Sequence, residues 1–151
     1  MLTKSQAKLF FLAGTIIFSL IFLALSYDTT VNQLDEITHT DKLSEEVIKG
    51  RIIWDENNCM GCHTLLGEGA YYAPELTRVV ERRGAGYIKG VLMSPTPWGE
   101  HTSGRKMVAY GFSEEEANHL VSFFTWIGEI ETNGFPAKPA YKIEKIETEI
   151  E

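Results

Sequence analysis

Apolar side chains are unevenly spread along this sequence, and their pattern divides it before any single residue is weighed. From Leu9 to Leu25 no position is charged, and Leu, Ile, Phe and Ala dominate. Carried through Tyr27, the run would measure roughly 28 Å as a helix, about the thickness of a bilayer core. Gly14, Thr15 and Ser19 fit such a span, where small residues and helical hydroxyls are common. A cleaved signal peptide is the competing reading. Its apolar region is usually about 7–15 residues long and ends at a small-residue cleavage site, for which Ala24-Leu25-Ser26 is a poor match. The pattern predicts one transmembrane anchor helix within residues 1–27.

Residues 28–42 are polar, rich in Thr, Asp and Asn, and without sustained period, which predicts a linker. Helical signals begin at Leu43. Ser44 is the expected N-cap, Glu45 and Glu46 sit in the first turn, and Leu43 is placed to staple against Ile48. Val47, Gly50 and Trp54 then share one face, and the helix runs into Asn57-Asn58-Cys59. Residues 64–77, with Gly67, Gly69 and Pro74, exclude a long helix. A short helix is expected over 78–93, with Ile88, Val91 and Leu92 inward and Ser94-Pro95 ending it. Residues 94–112 read as a loop. Ser113 and Glu116 then form a capping box ahead of an apolar stripe made by Ala117, Leu120, Val121, Phe124, Ile127 and Ile130. Asn133-Gly134 and Pro136 stop that helix. The expected whole is mostly α: the anchor, the linker, one domain over 43–136, and a charged tail over 137–151.

Charge adds an orientation. Lys4 and Lys8 precede the span, whereas Asp28, Asp35 and Glu36 follow it, so the positive-inside bias leaves a short cytoplasmic N-terminus and puts the rest on the far side. Without those two lysines, 12 basic residues face 21 acidic ones, a net of −9. So acidic a surface argues against nucleic acid as a partner. It would suit basic protein partners, and equally simple solubility. About 90 residues of few helices and long loops have little apolar surface to bury against each other, which leans toward a large apolar prosthetic group at the centre.

Cys59-Met60-Gly61-Cys62-His63 supplies the candidate chemistry, the C-x-x-C-H pattern of covalent haem c attachment. Two thiols about one helical turn apart can add to the two vinyl groups of one porphyrin, and the adjacent histidine then offers an imidazole as proximal ligand. These are the chain's two cysteines, so a zinc ribbon lacks its second ligand pair. A thioredoxin-like pair lacks its βαβ context, and a plain disulfide gives no reason for His63 to follow. One covalent haem is expected.

The sixth ligand has several candidates. Met60 lies inside the attachment loop and is too close to reach the other haem face. His119 falls off the apolar stripe, His101 sits in a glycine-rich loop, and Met93 ends a short apolar helix where core packing explains it. Met107, in Gly104-Arg105-Lys106-Met107, lies on an irregular segment able to fold back across the distal face. It is the favoured ligand, since His/Met pairs are common in electron-transfer cytochromes.

The first helix, the C-x-x-C-H motif, a methionine loop and a closing aromatic helix resemble the class I cytochrome c fold. In that fold the first and last helices cross at a small residue, here Gly50, with Trp54, Phe123, Phe124 and Trp126 around it. A narrower likeness lies in His63-Thr64-Leu65-Leu66-Gly67-Glu68-Gly69-Ala70-Tyr71-Tyr72-Ala73-Pro74-Glu75-Leu76. This segment is similar to one in the cytochrome c subunits of bacterial nitric oxide reductases. So are the single anchor, Arg82-Arg83-Gly84, the Met107 loop and residues 126–133. The chain departs from that family in carrying Val108 after Met107.

The resemblance implies a non-catalytic electron-transfer subunit, single-pass in the bacterial inner membrane, with its haem domain on the periplasmic side. It implies a soluble donor (a cytochrome c or a small copper protein) and a large multi-helix haem subunit as acceptor. It also implies a calcium site bridging the two subunits at the Gly69 backbone and Tyr71. From the residues alone, Gly67–Leu76 is greasy for a loop, which suits either a docking surface or a wrapping of the haem edge. A free-standing membrane-tethered shuttle is the alternative function. A gas sensor would need an open sixth position, which Met107 opposes. No catalytic constellation is visible.

Overall fold

The computed structural model describes residues 3–99 and 104–137, which fall into two compact units dividing between Lys42 and Leu43. His101 and the tail from residue 138 lie outside the described residues.

The first unit is one continuous helical rod, Lys4–Thr38. It comprises α1 (Lys4–Asp28), a wider π-helical turn over Thr29–Gln33, and α2 (Leu34–Thr38). Thr3 caps it through a reciprocal box with Gln6. Its apolar side chains point outward, with Phe10, Phe18 and Phe22 each about 70 % exposed. Within this unit they have no protein to bury against, as expected of a helix that crosses a membrane. The rod is long and apolar enough to cross a membrane.

Residues 28–38, expected from their lack of period to be part of a linker, are helical. The polar side chains that broke the period bond back along the helix instead of out of it. The Thr30 and Thr38 hydroxyls donate to the Ser26 and Leu34 carbonyls at 2.8 and 2.7 Å, and Asn32 donates to the Asp28 carboxylate at 2.7 Å. His39, in the left-handed conformation, ends the rod.

In the second unit, α3 (Glu45–Glu56) starts where Ser44 accepts from the Val47 N–H, and it buries Val47, Gly50 and Trp54. Leu43 and Ile48 stay 43 % and 47 % exposed, so the expected staple does not enclose them. A short 3₁₀ turn, Cys59–Gly61, follows. Next comes a hairpin that the residue pattern gave no sign of, β1 (Thr64–Leu65) paired antiparallel to β2 (Glu68–Gly69). Leu66 and Gly67 between them both have positive φ, the requirement of a tight two-residue turn.

The helix expected over 78–93 is two helices. Gly84, at φ 79°, separates α4 (Val79–Arg83) from α5 (Ala85–Leu92). The last helix, α6 (Glu114–Glu129), opens with the reciprocal Ser113–Glu116 box and buries Ala117, Leu120, Phe123, Phe124 and Ile127.

The core lies between α3 and α6. A β-carbon added at Gly50 would sit 2.6 Å from the His119 carbonyl carbon and 2.8 Å from Phe123 Cβ, and closer still to the His119 oxygen. No side chain fits at that crossing. Beside it Trp54 meets Phe124 edge-on at 5.6 Å and Phe123 at 6.2 Å, and Trp126 packs partly buried against the same core.

Candidate haem site

Phe124 of α6 and the segments that follow α3 line a cavity of about 610 Å³, within the range that encloses a bulky ligand. Asn58, in the left-handed conformation, turns the chain out of α3 into the Cys59–Gly61 turn. Cys59, Cys62 and His63 all line the cavity. Burial pushes the Cys59 thiol up to about 11, which leaves a neutral sulfur rather than an exposed nucleophile.

His63 is oriented by its neighbours. Its Nδ1 lies 2.7 Å from the Pro74 carbonyl oxygen. A carbonyl only accepts, so Nδ1 carries the proton and Nε2 keeps its lone pair for a metal. Burial holds the imidazole below its ordinary pKa, against the Pro74 carbonyl, which acts the other way. The neutral form is the one that ligates. Behind it the Trp54 ring stands 6.4 Å away.

The loop that supplies Pro74 is strapped to the attachment motif by backbone bonds. Ala70 donates to Met60 at 3.0 Å, Ala73 to Cys62 at 2.8 Å, and Leu76 to Thr64 at 2.9 Å. Gly69 sits inside this strap at φ 117°, and a β-carbon there would come within 3.3 Å of the Met60 oxygen and the His63 carbonyl carbon. Leu65 is buried and Leu76 lines the cavity, whereas Tyr71 is 80 % exposed.

Among the described candidates for a sixth ligand, Met107 alone lines the cavity. Met93 caps α5 and is partly exposed, His119 lies half-buried on α6, and Met60 uses its carbonyl in the strap. Met107 exchanges two backbone hydrogen bonds with Trp98, at 3.1 and 2.9 Å. This one-residue pairing leaves no periodic signal in the sequence.

The apolar walls come from Leu76, Ile88, Val91, Leu92 and Phe124, while Arg82, Arg83, Arg105 and Lys106 stand at the rim. These cations are cavity residues that sequence reasoning missed. Their signal is two basic pairs in an otherwise acidic domain. The donor set, the apolar walls and the cationic rim suit a haem, whose flat body is apolar and whose propionates are anionic. For calcium the fit is thinner. Among the described residues no group of three His, Cys, Asp or Glu could hold a metal ion, so a calcium at the Gly69 backbone and the Tyr71 phenol would need further oxygen ligands.

Comparison with known proteins agrees with this geometry. The cytochrome c family profile matches residues 47–127. The chain is 38 % identical over 138 residues to the nitric oxide reductase C subunit of Stutzerimonas stutzeri, covering 89 % of this chain and 93 % of that one. Its counterparts of the same name in Halomonas halodenitrificans and Paracoccus denitrificans are 37 % and 36 % identical, each over 92 % of this chain and 97 % of the relative. A likeness that runs through anchor, attachment motif and closing helix alike shows that the chain belongs to the family of nitric oxide reductase C subunits, with a cytochrome c domain after its membrane helix.

Proposed function

We propose that this chain is the membrane-anchored, non-catalytic electron-transfer subunit of a nitric oxide reductase. It takes electrons from a soluble donor, a cytochrome c or small copper protein. It passes them to a large multi-helix haem subunit, where two molecules of nitric oxide take up two electrons and two protons to give nitrous oxide and water. One observation carries the reading: Cys59, Cys62, His63 and Met107 line a single cavity in a chain that matches nitric oxide reductase C subunits over about nine-tenths of its length.

A single bound haem c would supply a reversible one-electron couple there. The chain's own residues do the rest. Cys59 and Cys62 hold the group through thioethers, and His63 offers Nε2, its ring fixed by the Pro74 carbonyl. Met107 would supply a thioether sulfur, a ligand type that raises a haem's potential and suits electron transfer over catalysis. The apolar walls keep water from the centre. The anchor, with its N-terminus in the cytoplasm, sets the cytochrome domain (43–136) on the periplasmic side. Gly69 and Tyr71 are what this chain would bring to a calcium shared with the large haem subunit, whose own groups would complete it.

Purification of the full-length chain from its native membrane in mild detergent tests the reading. The expected preparation contains a multi-helix haem partner and reduces nitric oxide, and this chain keeps the mass of one haem after denaturation. A haem-bearing chain that emerges alone would indicate the free-standing shuttle. A chain without covalent haem would remove the basis of both.

A further inference from the structure

We propose that Tyr72 is the positioning residue that keeps the Met107 sulfur on the iron, by clasping the Met107 segment to the loop that orients His63. The proposal rests on His63 and Met107 being the two axial ligands. Three contacts form the clasp. The Lys106 backbone N–H donates to the Tyr72 hydroxyl oxygen at 3.4 Å. The Arg105 guanidinium donates to the Tyr72 carbonyl at 3.0 Å and stands 5.9 Å over the Tyr72 ring.

The two residues after Tyr72 face the other way. Ala73 donates to the Cys62 carbonyl at 2.8 Å, and the Pro74 carbonyl receives His63 Nδ1 at 2.7 Å. Three consecutive residues thus touch the Met107 segment, the attachment motif and the proximal imidazole. Met107 itself also pairs through its backbone with Trp98, which is on an irregular segment and 43 % exposed. That pairing joins loop to loop. The Tyr72 contacts refer Met107 to the covalently fixed side of the site.

A thioether is a neutral, weak ligand, and the chain's hold on it sets how readily another ligand displaces it. Displacement swings the Arg105–Met107 segment away and breaks the contacts to Tyr72. Their free energy therefore enters the exchange equilibrium directly. The hydroxyl bond, exposed and long, should count for roughly threefold in that equilibrium, and the hydroxyl and ring together for roughly tenfold.

The test uses the full-length ferric holoprotein as wild type, Tyr72→Phe, Tyr72→Leu and Met107→Ala. Cyanide affinity, the thioether-to-iron charge-transfer band and Tm are read for each. Cyanide affinity should rise about threefold in Tyr72→Phe and about tenfold in Tyr72→Leu, with Tm little changed in Tyr72→Phe. Unchanged affinity in Tyr72→Leu, with the band lost in Met107→Ala, overturns the role of Tyr72 alone. So does an affinity rise in both tyrosine variants that merely follows a fall in Tm. A band that survives in Met107→Ala overturns the sixth-ligand reading, and the clasp with it.

Discussion

Replacing Gly50 with alanine inserts one methyl group where α3 meets α6. On its own helix the change is favourable by about 1 kcal/mol, since alanine loses less backbone entropy than glycine. Across the crossing it is not. The new carbon would lie 2.6 Å from the His119 carbonyl carbon and 2.8 Å from Phe123 Cβ, and the first of these is helical backbone that does not rotate aside. Restoring ordinary contact at 3.4 Å means parting the helices by at least about 0.8 Å for the carbonyl carbon and by more for its oxygen, a gap that forfeits about half of each facing dispersion contact. Trp54, Phe123 and Phe124 all pack at this interface, so the overpacking cost falls near the upper end of the usual range, about 3 kcal/mol. The net loss is about 2 kcal/mol, or a Tm roughly 10 °C lower for a domain of this size. Gly90 on α5 is the control, because a β-carbon there meets nothing within 4 Å. Gly90→Ala should stabilise by up to about 1 kcal/mol. Thermal melts of the holoproteins, followed by circular dichroism at the haem band, measure both. A Gly50→Ala midpoint within about 2 °C of wild type, or both variants moving the same way, would refute the crossing as described.

Met107→Ala should lower the midpoint potential by on the order of 0.1 V, within the roughly 0.8 V range that axial ligands control. It should also let the ferrous protein bind carbon monoxide, and an unchanged reduced spectrum under carbon monoxide would eliminate Met107 as ligand. At the start of α6, the hydrogen bond from the Ser113 hydroxyl holds the Glu116 carboxyl below the usual carboxylate range. Because the folded pKa is the lower one, this contribution is present above the unfolded value and is lost as pH falls through the folded one. Acid titration of Tm should show a steeper fall below about pH 5 in wild type than in Glu116→Gln, and parallel curves would count against the capping role.

Much of the second unit is readable from sequence because its signals are local or periodic. Ser44, and Ser113 with Glu116, announce their helices through side-chain oxygens that the backbone needs. Val47, Gly50 and Trp54 share a face by spacing alone, and all three are buried. Residues 28–38 escape a test based on period, because Thr30, Asn32 and Thr38 satisfy the helix with bonds along its own surface. The break at Gly84 shows how one residue at positive φ divides a pattern that reads as a single helix. In the site, Cys59, Cys62 and His63 are legible because their chemistry is written in adjacent positions. Pro74, Trp98 and Tyr72 are not, since each acts through a contact between residues distant in sequence, and two of them through backbone atoms that every residue type carries.

The strap around the attachment motif also determines where the calcium question is to be asked. Gly69 is denied any side chain by the carbonyls of Met60 and His63, whether or not a metal ever visits. A substitution there would deform the loop that seats the imidazole, and its phenotype would mimic metal loss without any metal being involved. Tyr71 faces solvent across four-fifths of its surface, so Tyr71→Phe alters a phenol without touching the strap. Chelator sensitivity of the assembled complex, compared between wild type and that single variant, reads cation binding free of the geometry.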